Sequence, residues 1–321
     1  MKHINYDESD LAGVRNYAPS MGLADLREDD AIILARQLDY VKAQVYEKKL
    51  PPMQGLILVP IMTDVPEWAE TVTYRTFDQV GMAKIVANYA DDLPRADVKG
   101  KEITVRVKDL GDSYGYNINE MRAALQGSVN LPTRKADAAR RAIDVALNRI
   151  AMVGFPEYGL FGLLTHPNIG ETVLPFGDWT ATGRTADQIL ADLDAMYDAV
   201  RVQSKSAHRP NILALPTAQH SIITSRRLPD SNGMTIAKFF LEKHPELAIE
   251  EVPELQASGE AGEDVALMYE RSAENLNLDL VMPFNQLPAQ PRNLELVVPC
   301  LARTAGVAVH YPLALTKGVG I

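Results

Sequence analysis

Six histidines, one cysteine and a surplus of carboxylates are the residues of this chain that could do chemistry, and their spacing decides what is open to them. His3, His166, His208, His220, His244 and His310 form no HxH, HExxH or Hx3–5H pair, so the ligand spacing of a zinc site is absent. Cys300 lies in the apolar run LVVPCLART with only Arg303 nearby. A reactive thiolate needs a more basic setting, and the residue reads as a small apolar core side chain. A lone cysteine also excludes an internal disulfide and a cysteine-rich zinc site. GxSxG occurs once, as Gly111-Asp-Ser113-Tyr-Gly115; so short a match makes a lipase-type nucleophile elbow only where the serine stands on a sharp strand-to-helix turn. The segment Gly177-Asp-Trp-Thr-Ala-Thr-Gly183-Arg184-Thr185 imitates a phosphate loop, but with five residues between its glycines, arginine in place of lysine and an aspartate that would repel phosphate. It reads as a turn leading into a capped helix. Asp91-Asp92, Glu250-Glu251 and Glu260 with Glu263-Asp264 would be the carboxylate pairs of a glycosidase. Among 42 acidic residues such neighbours arise by chance and read as solvated surface. The expectation is therefore no catalytic residue, no cofactor and no metal.

The balance of 32 basic to 42 acidic residues, a net charge of −10, argues against a protein that grips nucleic acid through its phosphates. It leaves room for one that encloses nucleic acid with weak, nonspecific contact. The basic pairs Arg134-Lys135, Arg140-Arg141 and Arg226-Arg227 are short and carry no interleaved aromatics. Arg140 and Arg141 suit carboxylates on a neighbouring surface, because the guanidinium fork matches them. With 321 residues, 46% of them hydrophobic, the chain can bury a core without staples. No apolar run approaches the ~18 residues a membrane helix needs, and the opening MKHINYDESD has no apolar signal core, so no membrane partner is expected.

These residues must be held by an α+β set of elements. Residues 1 to 27 carry little periodicity and read as an arm. Leu34, Leu38, Val41 and Val45 predict a helix over 29–49, stopped by Pro51 and Pro52. In PEWAETVTYRTF and KEITVRVK, Val72 and Tyr74, then Ile103, Val105 and Val107, alternate with polar residues, which predicts two strands joined across a broad polar tip. Such a hairpin projects and is marginal by itself, so a neighbouring subunit must support it. A short helix follows at about 117–126. The next helix starts near Pro132, buries Ala139, Ile143, Ala146, Leu147 and Ile150, keeps Arg140, Arg141, Asp144 and Asn148 mostly off that stripe, and stops at Gly154. Beyond residue 160, short helices and strands alternate. Thr185 and Gln188 form a capping box, Thr235 caps another helix, and NILAL, VALMYE, LVMPF, LELVVP and VAVHYPLAL read as separate strands.

This order of parts resembles the Hong Kong 97-type major capsid proteins of tailed bacteriophages, and more narrowly their encapsulin-like family. The segments that carry the resemblance are PEWAETVTYRTFDQVGMAKIVANYADDLPRADV, KEITVRVKDLGDSYGYNINEMRAAL, the long helix with NRIAMVG, and YGLFGLLTHPNI. The resemblance implies an N-terminal arm over 1–61 and an extended loop over 62–112. It implies a peripheral domain from 113–165 and 290–321, with its spine helix at 132–153, and an axial domain over 166–289.

It further implies a virion structural protein, assembled in the host cytoplasm, that self-assembles into hexamers and pentamers of an icosahedral phage head around double-stranded DNA. A separate scaffolding protein, a portal and decoration or cement proteins are the implied partners. The intersubunit residues are expected to be Trp68, Val72, Tyr74 and Arg75 on one strand side, Ile103, Val105 and Arg106 on the other, and Arg140 and Arg141 on the spine helix. Two other readings stay open: an encapsulin nanocompartment shell, and a hydrolase with an unrecognised site in 166–289.

Overall fold

The computed structural model describes residues 52–80, 97–117, 120, 131–229, 231–293 and 295–321. The expected helix over 29–49 and the rest of the arm to residue 51, the hairpin tip at 81–96, and most of the short helix at 117–126 lie outside the described residues.

The chain enters through a one-turn helix α1 (Gly55–Leu58) and a two-residue strand β1 (Ile61–Met62), then forms β2 (Thr71–Val80), β3 (Asp97–Arg106) and β4 (Lys108–Asn117). The spine helix α2 runs Leu131–Met152. Short strands β5 (Gly154–Phe155), β6 (Leu160–Phe161) and β7 (Gly170–Thr172) lead to α3 (Ala186–Gln203) and β8 (Ile212–Leu215). Helices α4 (Thr217–Ser225) and α5 (Ile236–Lys243) precede β9 (Ala248–Glu251) and β10 (Val265–Tyr269). The chain closes with β11 (Leu276–Gln286), β12 (Gln290–Arg292), β13 (Glu295–Val309) and β14 (Leu315–Val319).

Two five-stranded sheets organise these elements. In the first, β13 is the centre: β11 and β12 pair on one side of it, β4 pairs with it over Lys108–Asn117, and β1 adds parallel to β11. Helix α2 packs on this sheet, where Ala139, Ile143 and Leu147 meet Cys300 and Ala302 of β13. In the second, the order is β7-β14-β10-β8-β9. One face of it, with Leu213, Leu215, Ala266 and Met268, packs on α3, α4 and α5. Ala214, Val265, Leu267 and Tyr269 point the other way, into a core shared with Leu276, Leu278, Val307 and Val309 of the first sheet and with the end of α2. The alternation of a strand's side chains produces this two-sided burial.

Local chemistry explains the boundaries. Gly154 ends the α2 turn with φ +74°, and a Cβ there would meet the Leu160 carbonyl oxygen at 2.4 Å, so only glycine fits. The Thr185 hydroxyl accepts from the Gln188 amide while the Gln188 side chain accepts from the Thr185 amide, the reciprocal cap expected at that spacing. Thr235 caps α5 through the Lys238 amide.

The pairing draws several expected boundaries elsewhere. LELVVP and VAVHYPLAL are not separate strands: β13 runs unbroken from Glu295 to Val309. Pro299, which has no N–H to give, falls where β11 has ended and β12 is paired further along. The loop expected over 62–112 ends at Arg106, because Lys108–Asn117 is committed to β13. Residues 276–286, expected with 166–289, belong to the first sheet. Residues 315–319, expected with 290–321 in the peripheral group, belong to the second sheet.

Asn148, expected off the buried stripe of α2, is itself buried. Its side-chain oxygen accepts from the Gly55 amide at 2.7 Å and its Nδ2 donates to Glu254 at 3.0 Å. Helix α1 lies so close on α2 that a Cβ at Gly55 would meet Asn148 and Met152 at 2.9 Å.

Candidate functional site

Six of the nine residues that the sequence singled out, Val72, Tyr74, Arg75, Ile103, Val105 and Arg106, meet on the β2–β3 hairpin, while Trp68, expected on a strand, falls in the turn before β2. The hairpin register sets Val72 opposite Val105 and Tyr74 opposite Ile103, so the four share one face. All four are half-buried rather than buried. The opposite face is polar and exposed: the Thr73 and Thr104 hydroxyls bond at 2.9 Å, and Arg75 Nε donates to Glu102 at 2.6 Å. Arg106, paired with Thr71, is exposed there too. Cross-strand pairs of these kinds hold a hairpin together by only about 0.2–1 kcal/mol each. Among the described residues, β2 and β3 pair only with each other.

The hairpin is anchored at its base. The Val107 amide donates to the Glu70 carbonyl. Arg303 of β13 donates to Asp109 at 2.6 Å and to the Glu67 carbonyl. Tyr74 meets His310 edge to face at 4.8 Å. His310 Nε2 in turn lies 2.7 Å from Asn277 Oδ1, and Asn277 Nδ2 donates to Asp279. Burial lowers the His310 pKa below its ordinary value, so the imidazole is neutral and its Nε2–H is the donor. Burial, reinforced by the Asp64 charge and opposed by the Asn277 bond, raises the Asp279 carboxyl to about 6. This buried carboxylate, missed in the sequence, lies two residues from Asn277 in an alternating strand.

Beside the anchor stands Trp68, 82% exposed. The spine-helix arginines lie elsewhere on the first sheet: Arg140 is exposed with its guanidinium 6.0 Å from the Phe284 ring, and Arg141 is half-buried. The hairpin residues are thus brought together by one ladder, and Arg140 and Arg141 are not part of it.

The remaining chemical candidates resolve into structure, Ser113 of the GxSxG included, which lies mid-strand in β4 opposite Pro299 rather than on a strand-to-helix turn. Cys300 is buried in β13, where burial, then the Asp112 charge, raises its thiol pKa; that is an inert setting. The loop at 177–185 folds on itself, with Arg184 donating to the Phe176 and Asp178 carbonyls. Asp192 of α3, fully buried, accepts from the Phe176 and Gly177 amides and from Trp179 Nε1 at 2.9–3.0 Å. Lys135 is taken up by Glu120 at 2.6 Å, and Arg226 by the Arg184 carbonyl at 2.8 Å. No group of three or more His, Cys, Asp or Glu that could hold a metal occurs among the described residues. No helix among them is long and apolar enough to cross a membrane.

The hairpin thus keeps one apolar face, turned toward its own chain at Tyr74 and Val105 and covered there only in part, and one exposed polar face. The family model for the Major capsid protein matches residues 81–321. The chain belongs to that family and is a structural capsid protein rather than an enzyme.

Solved structures agree on the fold. The capsid of Myoviridae phage XM1 superposes with a TM-score of 0.77 at 16% identity, covering 89% of this chain and 98% of that one. The empty particle of a gene transfer agent (GTA) gives 0.67 at 12% identity, covering 92% and 99%. Mycobacterium phage Bobi gives 0.64 at 15% identity, with the same coverage. The expected Hong Kong 97-type α+β architecture is therefore the observed one.

A different likeness is local. A 92-residue stretch is 37% identical to a probable methylmalonyl-CoA mutase small subunit of Mycobacterium tuberculosis. It takes in 27% of this chain and spans 13% of that relative's length, and no mutase activity follows from it.

Proposed function

We propose that the chain builds the hexamers and pentamers of an icosahedral phage head that encloses double-stranded DNA. On this reading residues 1–61 form the arm and the β2–β3 hairpin is the extended loop. The α2-backed sheet is the peripheral domain, and the sheet of β7–β10 and β14 with α3–α5 is the axial domain. Self-assembly into shells and a place in the virion come with the family. The separate scaffolding protein, the portal, any decoration protein and assembly in the host cytoplasm belong to the proposal.

One observation carries it. The hairpin presents Val72, Tyr74, Ile103 and Val105 on a face that its own chain leaves half-open, next to an exposed tryptophan. Apolar area left open in this way gains roughly 25 cal/mol per Å2 when another surface covers it. Arms and loops that cross to neighbours would supply that surface in every contact of a ring.

Electron microscopy of purified protein tests the reading, with closed icosahedral particles expected. Deleting residues 78–100 should leave soluble, folded protein that makes no particles. Normal particles from the deletion would remove the hairpin from assembly. Contact with packaged DNA should be weak, sequence-independent and salt-sensitive, losing about 0.9 log units of affinity per log unit of salt for each phosphate neutralised. Saturable submicromolar binding of one DNA sequence by the unassembled subunit would count against a container.

A further inference from the structure

The two tryptophans of the chain have opposite fates. Trp179 is fully buried, with its indole N–H given to Asp192. Trp68 is 82% exposed, and among the described residues its N–H has no acceptor. A large amphipathic ring left outside is costly in water, and tryptophan is enriched among the residues that dominate binding energy at interfaces.

Elsewhere on the same sheet is a recess of about 400 Å3 between α2 and the end of β11. Ala136, Asp137 and Arg140 line it from the helix, and Phe284, Asn285 and Gln286 from the strand. Its volume lies in the range of cavities that take an organic group, roughly 300–1,000 Å3. Its chemistry suits an indole. Arg140 already lies over the Phe284 ring, and a second aromatic face beside a guanidinium gains cation–π attraction, strongest for tryptophan. The Asp137 carboxylate and the amide oxygens of Asn285 and Gln286 are acceptors for an indole N–H.

We propose that Trp68 of one copy seats in the Arg140–Phe284 recess of the next copy. The inference rests on the shell reading above and names the contact that would close its rings. Trp68 does not occupy the recess of its own chain, since it is exposed. It is held on the β4 side of β13, where Arg303 binds both Asp109 and the Glu67 carbonyl. The recess lies on the β11 side, where Asn285 and Gln286 pair with Leu301 and Cys300. Two different patches on opposite sides of one strand make a head-to-tail contact. Such contacts generate rings rather than two-fold pairs when the rotation closes.

The buried Trp179 makes the test direct, because any change in tryptophan quenching on assembly then reports Trp68. In wild-type protein, acrylamide quenching of the Trp68 signal, taken as the difference from Trp68→Phe, should fall several-fold when particles form. Arg140→Ala should restore most of it in whatever particles it makes. The second readout uses the absence of any competing exposed thiol, Cys300 being buried. Co-assembled single variants Trp68→Cys and Gln286→Cys should oxidise to a dimer that no single chain can form. The variant carrying both should give a ladder ending at five and six.

Particles in which Trp68 stays as quenchable as in the free subunit would overturn the contact and leave the shell reading standing. Particles whose cysteine pair does not oxidise while Trp68 stays quenchable would overturn it in the same way. Absence of particles from wild-type protein would sink the shell reading itself. If the cysteine variants fail to assemble, wild-type quenching decides alone.

Discussion

The strand β10 and the hairpin β2–β3 are both antiparallel β-structure, yet they face opposite environments. Every residue of β10, from Val265 to Tyr269, is buried, with helices on one face and the shared core on the other. Not one described side chain of the hairpin is buried. The same alternation that β10 fills within its own chain is left half-filled in β2 and β3. A strand completed by its own chain supplies stability, and a strand left open supplies specificity for whatever completes it. The two regions should therefore answer differently to mutation, one through folding and the other through assembly.

The largest effect should come from Leu147→Asp, which places an unpaired charge where α2 meets Cys300 and Ala302. The cost should exceed about 4 kcal/mol, and circular dichroism should find no cooperative fold. A soluble, folded variant would show that this face of α2 is not core.

Next is Asp192→Ala, which strands the Phe176 and Gly177 amides and the Trp179 N–H inside the core. About 3 kcal/mol should be lost, seen in a denaturant midpoint. A shift below 1 kcal/mol (roughly the net worth of one ordinary hydrogen bond) would mean that water replaces the carboxylate.

A smaller, pH-dependent effect belongs to Asp279 at the hairpin anchor. Its carboxyl is raised from 3.8 to about 6, so the folded state binds the proton more tightly than the unfolded one. Its contribution to stability is complete below about pH 4 and is lost as pH rises through 6. The amount is about 2–3 kcal/mol from the size of that shift. His310, with its pKa lowered by burial, acts in the opposite direction, destabilising the fold as pH drops below its unfolded value near 6.5. The comparison must therefore be made against Asp279→Asn, whose stability relative to wild type should improve between pH 4.5 and 7.5. A constant difference across that range would place the carboxyl in water.

Least of all, Arg75→Ala removes an exposed ion pair with Glu102 and should cost the subunit under about 1 kcal/mol. If it nevertheless abolishes particles, the polar face of the hairpin is also an assembly face.

The sequence carried the local half of this architecture. The spine helix was legible to within a residue at each end because its apolar period, Pro132 and Gly154 are all local signals. The cap at Thr185 and the two hairpin strands were legible for the same reason. What it hid were partnerships between distant segments. KDLGDSYGYN has little β-pattern of its own and becomes β4 only through its ladder with Glu295–Thr304. Asn148 is polar on the helical period and is buried because α1 and Glu254 come to it from elsewhere. Asp192 did carry a signal: an acidic residue between Ile189 and Met196 on the buried stripe of α3, where a charge persists only if donors await it. The recess beside Arg140 had none, since Phe284 joins the spine helix only in three dimensions.

The two sheets are joined by an unusual seam. Strands β10 and β14 are paired as far as Tyr269 and Leu315, and the same two chain segments resume as β11 and β13, paired from Leu276 and Val309. Between them the bends stay bonded, with the His310 and Tyr311 amides on the Asn275 carbonyl and the Glu270 amide on the Ala314 carbonyl. Mechanically this is one antiparallel ribbon, creased but not cut. A pull along the ribbon would load its rungs in shear, all sharing the force, whereas a pull at right angles would peel them one at a time. Load passing from one sheet to the other therefore travels along this ribbon, and bending of one sheet against the other concentrates at the crease.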